Sequence, residues 1–62
     1  MHTLTVRGWR EEMGIDQKEV AEKLGLPLMI YIAKENGKKK WTGSELLDVA
    51  KILNISVVDI YI

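Results

Sequence analysis

The sequence predicts an all-α fold, a compact bundle of five helices, and three observations predict it. Apolar residues recur three and four apart along most of the chain, helix-capping residues precede those runs, and glycine or asparagine follows them. Strands compete only at Leu28 to Ile32 and Asn54 to Ile62, and neither stretch has a hairpin partner.

Thr5 is the expected N-cap of a first helix running roughly to Met13. Val6, Trp9 and Met13 recur in it at helical spacing, and Gly14 can take the left-handed conformation that ends it. Asp16 followed by Glu19 reads as a capping box opening the second helix, whose buried stripe is Val20, Ala21 and Leu24. Ala21 is thin enough to let a third helix approach closely, and Gly25 stops the second. Pro27 is tolerated only in a first helical turn, so the third helix starts near it and runs to Asn36, with Gly37 as its terminal glycine. The lysine run and Trp41 form a loop. Thr42 caps a fourth helix with Leu46, Val49, Ala50 and Leu53 inside and Asn54 at its end. Ser56 and Asp59 then cap a short fifth helix carrying Val57, Val58, Ile60 and Tyr61.

Residues 1–62 are read as a single domain, since 62 residues suffice for one core only. A chain this short buries roughly 60% of the surface it exposes when unfolded, so its core must be efficient. The 47% apolar content is that of a globular protein. Without cysteine, neither a disulfide nor a thiolate zinc site can supplement that core. No apolar run approaches the ~20 residues of a membrane span, and Met1 to Arg10 lacks the pattern of a signal peptide. The expected location is therefore the cytoplasm, with no membrane partner.

Enzymatic chemistry finds no support. The single histidine, His2, stands at an end expected to fray, and the carboxylates Asp16 and Glu19 are explained by capping. The five glycines are dispersed rather than gathered into a phosphate loop. No catalytic residue, cofactor or metal site is expected.

Net charge is zero, but it is unevenly spread. Residues 1–33 carry four basic and five acidic groups, a net −1; residues 34–40 carry four lysines and one glutamate, a net +3; residues 41–62 carry one lysine and three acidic groups, a net −2. Positive charge is concentrated in one short segment, and its use depends on where the fold places it.

The second helix, a glycine turn and the third helix, over Gln17 to Glu35, have the spacing of a helix-turn-helix. Here the sequence resembles the Cro/C1-type (XRE-like) repressors of phages and bacteria, whose fold is the lambda repressor-like bundle. The resemblance rests on WREEMGIDQKEVAEKLGLP, then KENGKKK, then ELLDVAKILNISVVDI, and spans residues 5–61 without an internal gap. Its most specific elements are Arg10, Gln17, Ala21, Gly25, Glu35 with Gly37, and Leu53-Asn54-Ile55-Ser56.

The resemblance implies a transcriptional regulator that binds double-stranded DNA with its third helix in the major groove. It also implies that Arg10 and Glu35 form a structural ion pair between the first and third helices; the plainer reading is two solvated charges. Phosphate contacts are implied for Gln17, at the start of the second helix, and for Asn36, Lys38, Lys39 and Lys40 after the third. A lysine loop kept for solubility is the alternative. Asp16 opposes this assignment locally, because its carboxylate stands where a phosphate would approach.

Base edges are read, by the same resemblance, from Leu28, Met29, Ile30 and Ala33, with Lys34 reaching a base or phosphate if it faces outward. At about 100° per residue, Leu28, Tyr31 and Glu35 share the inward arc, with Ile32 nearby. Tyr31 reads as core with its hydroxyl at the rim. None of Leu28, Met29, Ile30 and Ala33 can form a side-chain hydrogen bond, so bidentate base readout is unavailable and thymine methyl contacts remain. Poor discrimination among DNA sequences is expected.

Such an apolar strip has other readings. It can bind a partner protein, making the chain an antirepressor or modulator that kept the fold; it can bind another copy; or a rotated helix can turn it inward. A homodimer through the C-terminal apolar segment (Ile55, Val57, Val58, Ile60 and Ile62) is also expected, since one short helix cannot bury them all.

Overall fold

The computed structural model describes residues 3–61, so the expectations placed on His2 and Ile62 lie outside the described residues. Thr5, Asp16 and Thr42 each accept a hydrogen bond from the backbone N–H three residues on, at 3.0, 2.8 and 3.0 Å. Each bond satisfies a donor that the first turn leaves unpaired, and each opens a helix. The helices are α1 (Val6–Glu12), α2 (Gln17–Leu24), α3 (Leu28–Glu35) and α4 (Gly43–Leu53). The reciprocal capping box belongs to Thr42 and Glu45, whose side chain accepts from the Thr42 N–H at 2.9 Å. Asp16 and Glu19 make only half of one, because the Glu19 carboxylate instead meets Lys23 at 3.3 Å.

The α2–α3 turn is set by Gly25 at φ 75°, after which the Leu26 N–H closes back on the Ala21 carbonyl at 3.0 Å. A side chain there would strain a left-handed backbone. Asn54, at φ 57°, ends α4 in the same conformation.

The expected fifth α-helix is a single 3-10 turn, Val57–Asp59, giving four α-helices among the described residues. Ser56 makes no capping hydrogen bond, and at Ile60 the backbone is already extended. The chain is drawn out because it pairs with the N-terminal segment. Leu4 N–H donates to the Asp59 carbonyl at 3.2 Å, and Tyr61 N–H donates to the Leu4 carbonyl at 2.8 Å. Trp9 Nε1 donates to the same Asp59 carbonyl at 2.8 Å.

Val6, Val20, Ala21, Tyr31, Val49, Ala50, Leu53 and Ile60 form the buried core. α2 packs on α3 and α4, while α1 and the 3-10 turn close on α4. Met13, in register with Val6 and Trp9 but at the C-cap of α1, is exposed. Of the C-terminal apolar residues, Ile60 is buried and Ile55 and Val57 pack partly against the core, leaving Val58 exposed. The intrachain demand for burial there is greater than the sequence suggested. No helix is long and apolar enough to cross a membrane among the described residues.

Candidate nucleic-acid interface

One carboxylate organises the elements that present α3. The Glu35 side chain is 0% exposed and accepts four hydrogen bonds. Arg10 gives two, from Nε at 2.6 Å and Nη2 at 3.2 Å; Gln17 Nε2 gives one at 3.0 Å, and the Tyr31 hydroxyl another at 2.5 Å. Arg10 Nη1 donates to the Ile15 carbonyl at 2.9 Å. The cluster joins α1, the entry of α2 and the last turn of α3. Among the described residues no buried side-chain polar atom lacks a partner, as a low-dielectric network requires.

The electrostatics follow from those contacts. Burial pushes the Glu35 carboxyl up, but the hydrogen bonds from Arg10, Tyr31 and Gln17 together outweigh it and hold its pKa below the usual value. Hydrogen bonding to Glu35 raises the Arg10 pKa against the opposing effect of burial. Burial, and then the neighbouring carboxylate, raise the Tyr31 phenol. Both members of the Arg10–Glu35 pair therefore stay charged through the neutral range, and the Tyr31 hydroxyl remains a donor.

Gln17 occupies the expected place at the start of α2, half-buried, but its amide N–H is turned to Glu35 rather than to solvent. The reason is that Glu35 still has lone pairs to fill after Arg10 has bonded.

The loop after α3 is held at both ends. Lys38 N–H and Lys39 N–H both reach the Ala33 carbonyl, at 2.9 and 3.3 Å, around Gly37 at φ 80°. At the far end, Lys34 Nζ donates to the Lys40 carbonyl at 2.9 Å and to Glu45 at 2.9 Å. Asn36, Lys38, Lys39 and Lys40 are exposed on this loop. Among the described residues the three lysines have no ion-pair partner.

Lys34 corrects the sequence reading. It does not face outward; its side chain is 10% exposed, because the capped start of α4 brings the Glu45 carboxylate within reach. Its ammonium also lies 5.8 Å from the Trp41 ring centre, and Trp41 meets Tyr31 edge-on at 5.8 Å. Backbone N–H donation from Thr42, and then Lys34, hold the Glu45 pKa below its usual value. Trp41 and Glu45 were missed as organising residues. Only the Thr42-x-x-Glu45 spacing signalled the latter.

Leu28 also departs from expectation, being 40% exposed instead of inward. Met29 is 74% exposed, and Ile30, Ile32 and Ala33 are half-buried. Tyr31 alone carries α3 into the buried core, with its hydroxyl inside the Glu35 cluster and not at the rim.

Two helices joined at a left-handed glycine, the second partly exposed and followed by a basic loop, define a helix-turn-helix. Residues 6–60 match the helix-turn-helix family, and the chain belongs to its Cro/C1 type, a family of DNA-binding transcription regulators. No curated protein and no solved structure matches the chain significantly.

Proposed function

We infer that this domain regulates transcription in the cytoplasm by placing α3 in the major groove of double-stranded DNA, with the Asn36–Lys40 loop and the entry of α2 on the flanking phosphates. The observation that carries this reading is the loop. Three exposed lysines stand on a backbone tied to α3 at one end and to Lys34 at the other. The acidic group nearest to them in sequence, Glu35, is turned inside and neutralised by Arg10. A chain of zero net charge thus offers phosphate a local positive surface at the end of the helix that enters the groove. Asn36 adds an exposed amide donor, while one Gln17 N–H is spent on Glu35, leaving its second for a phosphate at the entry of α2. The exposed Val58 and Tyr61 support a homodimer, which would set two copies of α3 on two half-sites.

Replacing Lys38, Lys39 and Lys40 together by glutamine tests the reading. Each lost phosphate contact should reduce the slope of log K against log salt by about 0.9, and binding should weaken alike on unrelated duplexes. A triple variant that keeps the parent's slope would show that the loop does not touch phosphate.

A further inference from the structure

α3 has three side chains able to hydrogen-bond, and all three are engaged inside the protein. Tyr31 donates to Glu35, Glu35 is saturated by Arg10, Gln17 and Tyr31, and Lys34 is held by the Lys40 carbonyl and Glu45. What remains outward at the first turn is hydrocarbon and a thioether: Leu28 at 40% exposure and Met29 at 74%. The basic loop follows the other end of the same helix. Phosphate contact there would press an apolar first turn against base edges.

The major-groove edges offer few groups that suit such a surface. Amino, carbonyl and ring-nitrogen groups lose water against Leu28 and Met29 and gain no hydrogen bond in return. The C5-methyl group of thymine is the exception. The same methyl on 5-methylcytosine occupies the equivalent position on a G·C pair. We propose that the Leu28–Met29 face of α3 selects DNA by the C5-methyl groups of its pyrimidines, thymine foremost, and accepts 5-methylcytosine in the same role. The inference rests on the DNA-binding reading and names what that site recognises.

The test uses the full chain and duplexes that differ only in that methyl. An alternating adenine–thymine duplex is compared with its uracil counterpart, and an alternating guanine–cytosine duplex with its fully 5-methylated form. Charge and every hydrogen-bonding edge are the same within each pair. The uracil duplex should bind about 4-fold more weakly for each methyl that α3 buries, the equivalent of about 0.8 kcal/mol. The methylated guanine–cytosine duplex should bind more tightly than the unmethylated one, and salt slopes should match within each pair. Met29→Ala and Leu28→Ala, both at exposed positions, should bring the thymine-to-uracil ratio toward one without altering the slope. Equal binding of thymine and uracil duplexes, with a normal slope, overturns the inference and leaves DNA binding standing. A ratio that survives both alanine variants assigns the preference to DNA shape and also overturns it. No salt-dependent binding to any duplex overturns both readings.

Discussion

Removing the Glu35 carboxylate should cost this domain much of its stability. Glu35→Ala deletes four hydrogen bonds at once and leaves Arg10, itself only 10% exposed, with the Ile15 carbonyl as its remaining bonded partner. It also strips the fully buried Tyr31 hydroxyl of its acceptor. Breaking a buried pair from one side costs about 3–5 kcal/mol, chiefly because the surviving charge keeps its desolvation penalty. At roughly 0.05–0.15 kcal/mol per residue, 62 residues supply about 3–9 kcal/mol in total. The substitution therefore removes between a third of that stability and all of it. With a urea dependence of about 1 kcal/mol per molar for so small a chain, the midpoint should fall by about 3 M, or the transition should vanish.

Glu11→Ala is the control. Its partner Arg7 lies one turn away at 3.2 Å, but both side chains are more than half exposed, and such pairs contribute about 0.3–0.5 kcal/mol. The double change Arg10→Met with Glu35→Leu should recover stability relative to Glu35→Ala, since no unpaired charge remains. Equal, small midpoint shifts for Glu35→Ala and Glu11→Ala would refute the reasoning.

Two further outcomes follow from the same contacts. The Glu35 pKa is lower in the folded chain than in the unfolded one, so its stabilisation is complete above about pH 5 and is lost as the pH falls through the carboxylate range. Chemical denaturation between pH 3 and 7 should show that loss, and Glu35→Gln should reduce it; an unchanged profile would place the acid sensitivity elsewhere. Lys34→Met should cost about 1.5–3 kcal/mol, the range for a hydrogen bond to a charged group, and weaken DNA binding by freeing the lysine loop. Because Lys34 faces inward, the salt slope should stay at the parent's value. A slope lowered by about 0.9 would mean that Lys34 does touch phosphate.

The particular residues show why some of this was legible in the sequence. Thr5, Asp16 and Thr42 cap their helices, and Gly25, Gly37 and Asn54 take left-handed backbone, because each of these events is decided within a turn or so of the chain. Local chemistry of that range is written directly in the residue order, and it determined four helices, their main limits and the place of the helix-turn-helix. Apolar spacing likewise determined the inner faces of α2 and α4.

Tertiary structure decided the rest. Spacing tells which residues of α3 share an arc, but not how the helix is rotated on its neighbours. The Arg10–Glu35 cluster and the capped start of α4 set that rotation, so Lys34 turns inward and Leu28 outward against expectation. The C-terminus is a second case. The local sequence favours a short helix, yet the Leu4 and Trp9 donors, fifty or more residues away, draw the Asp59–Tyr61 backbone into pairing after one 3-10 turn. Capping and turn formation depend on neighbours along the chain, whereas helix rotation and terminal pairing depend on groups that only the finished fold brings together.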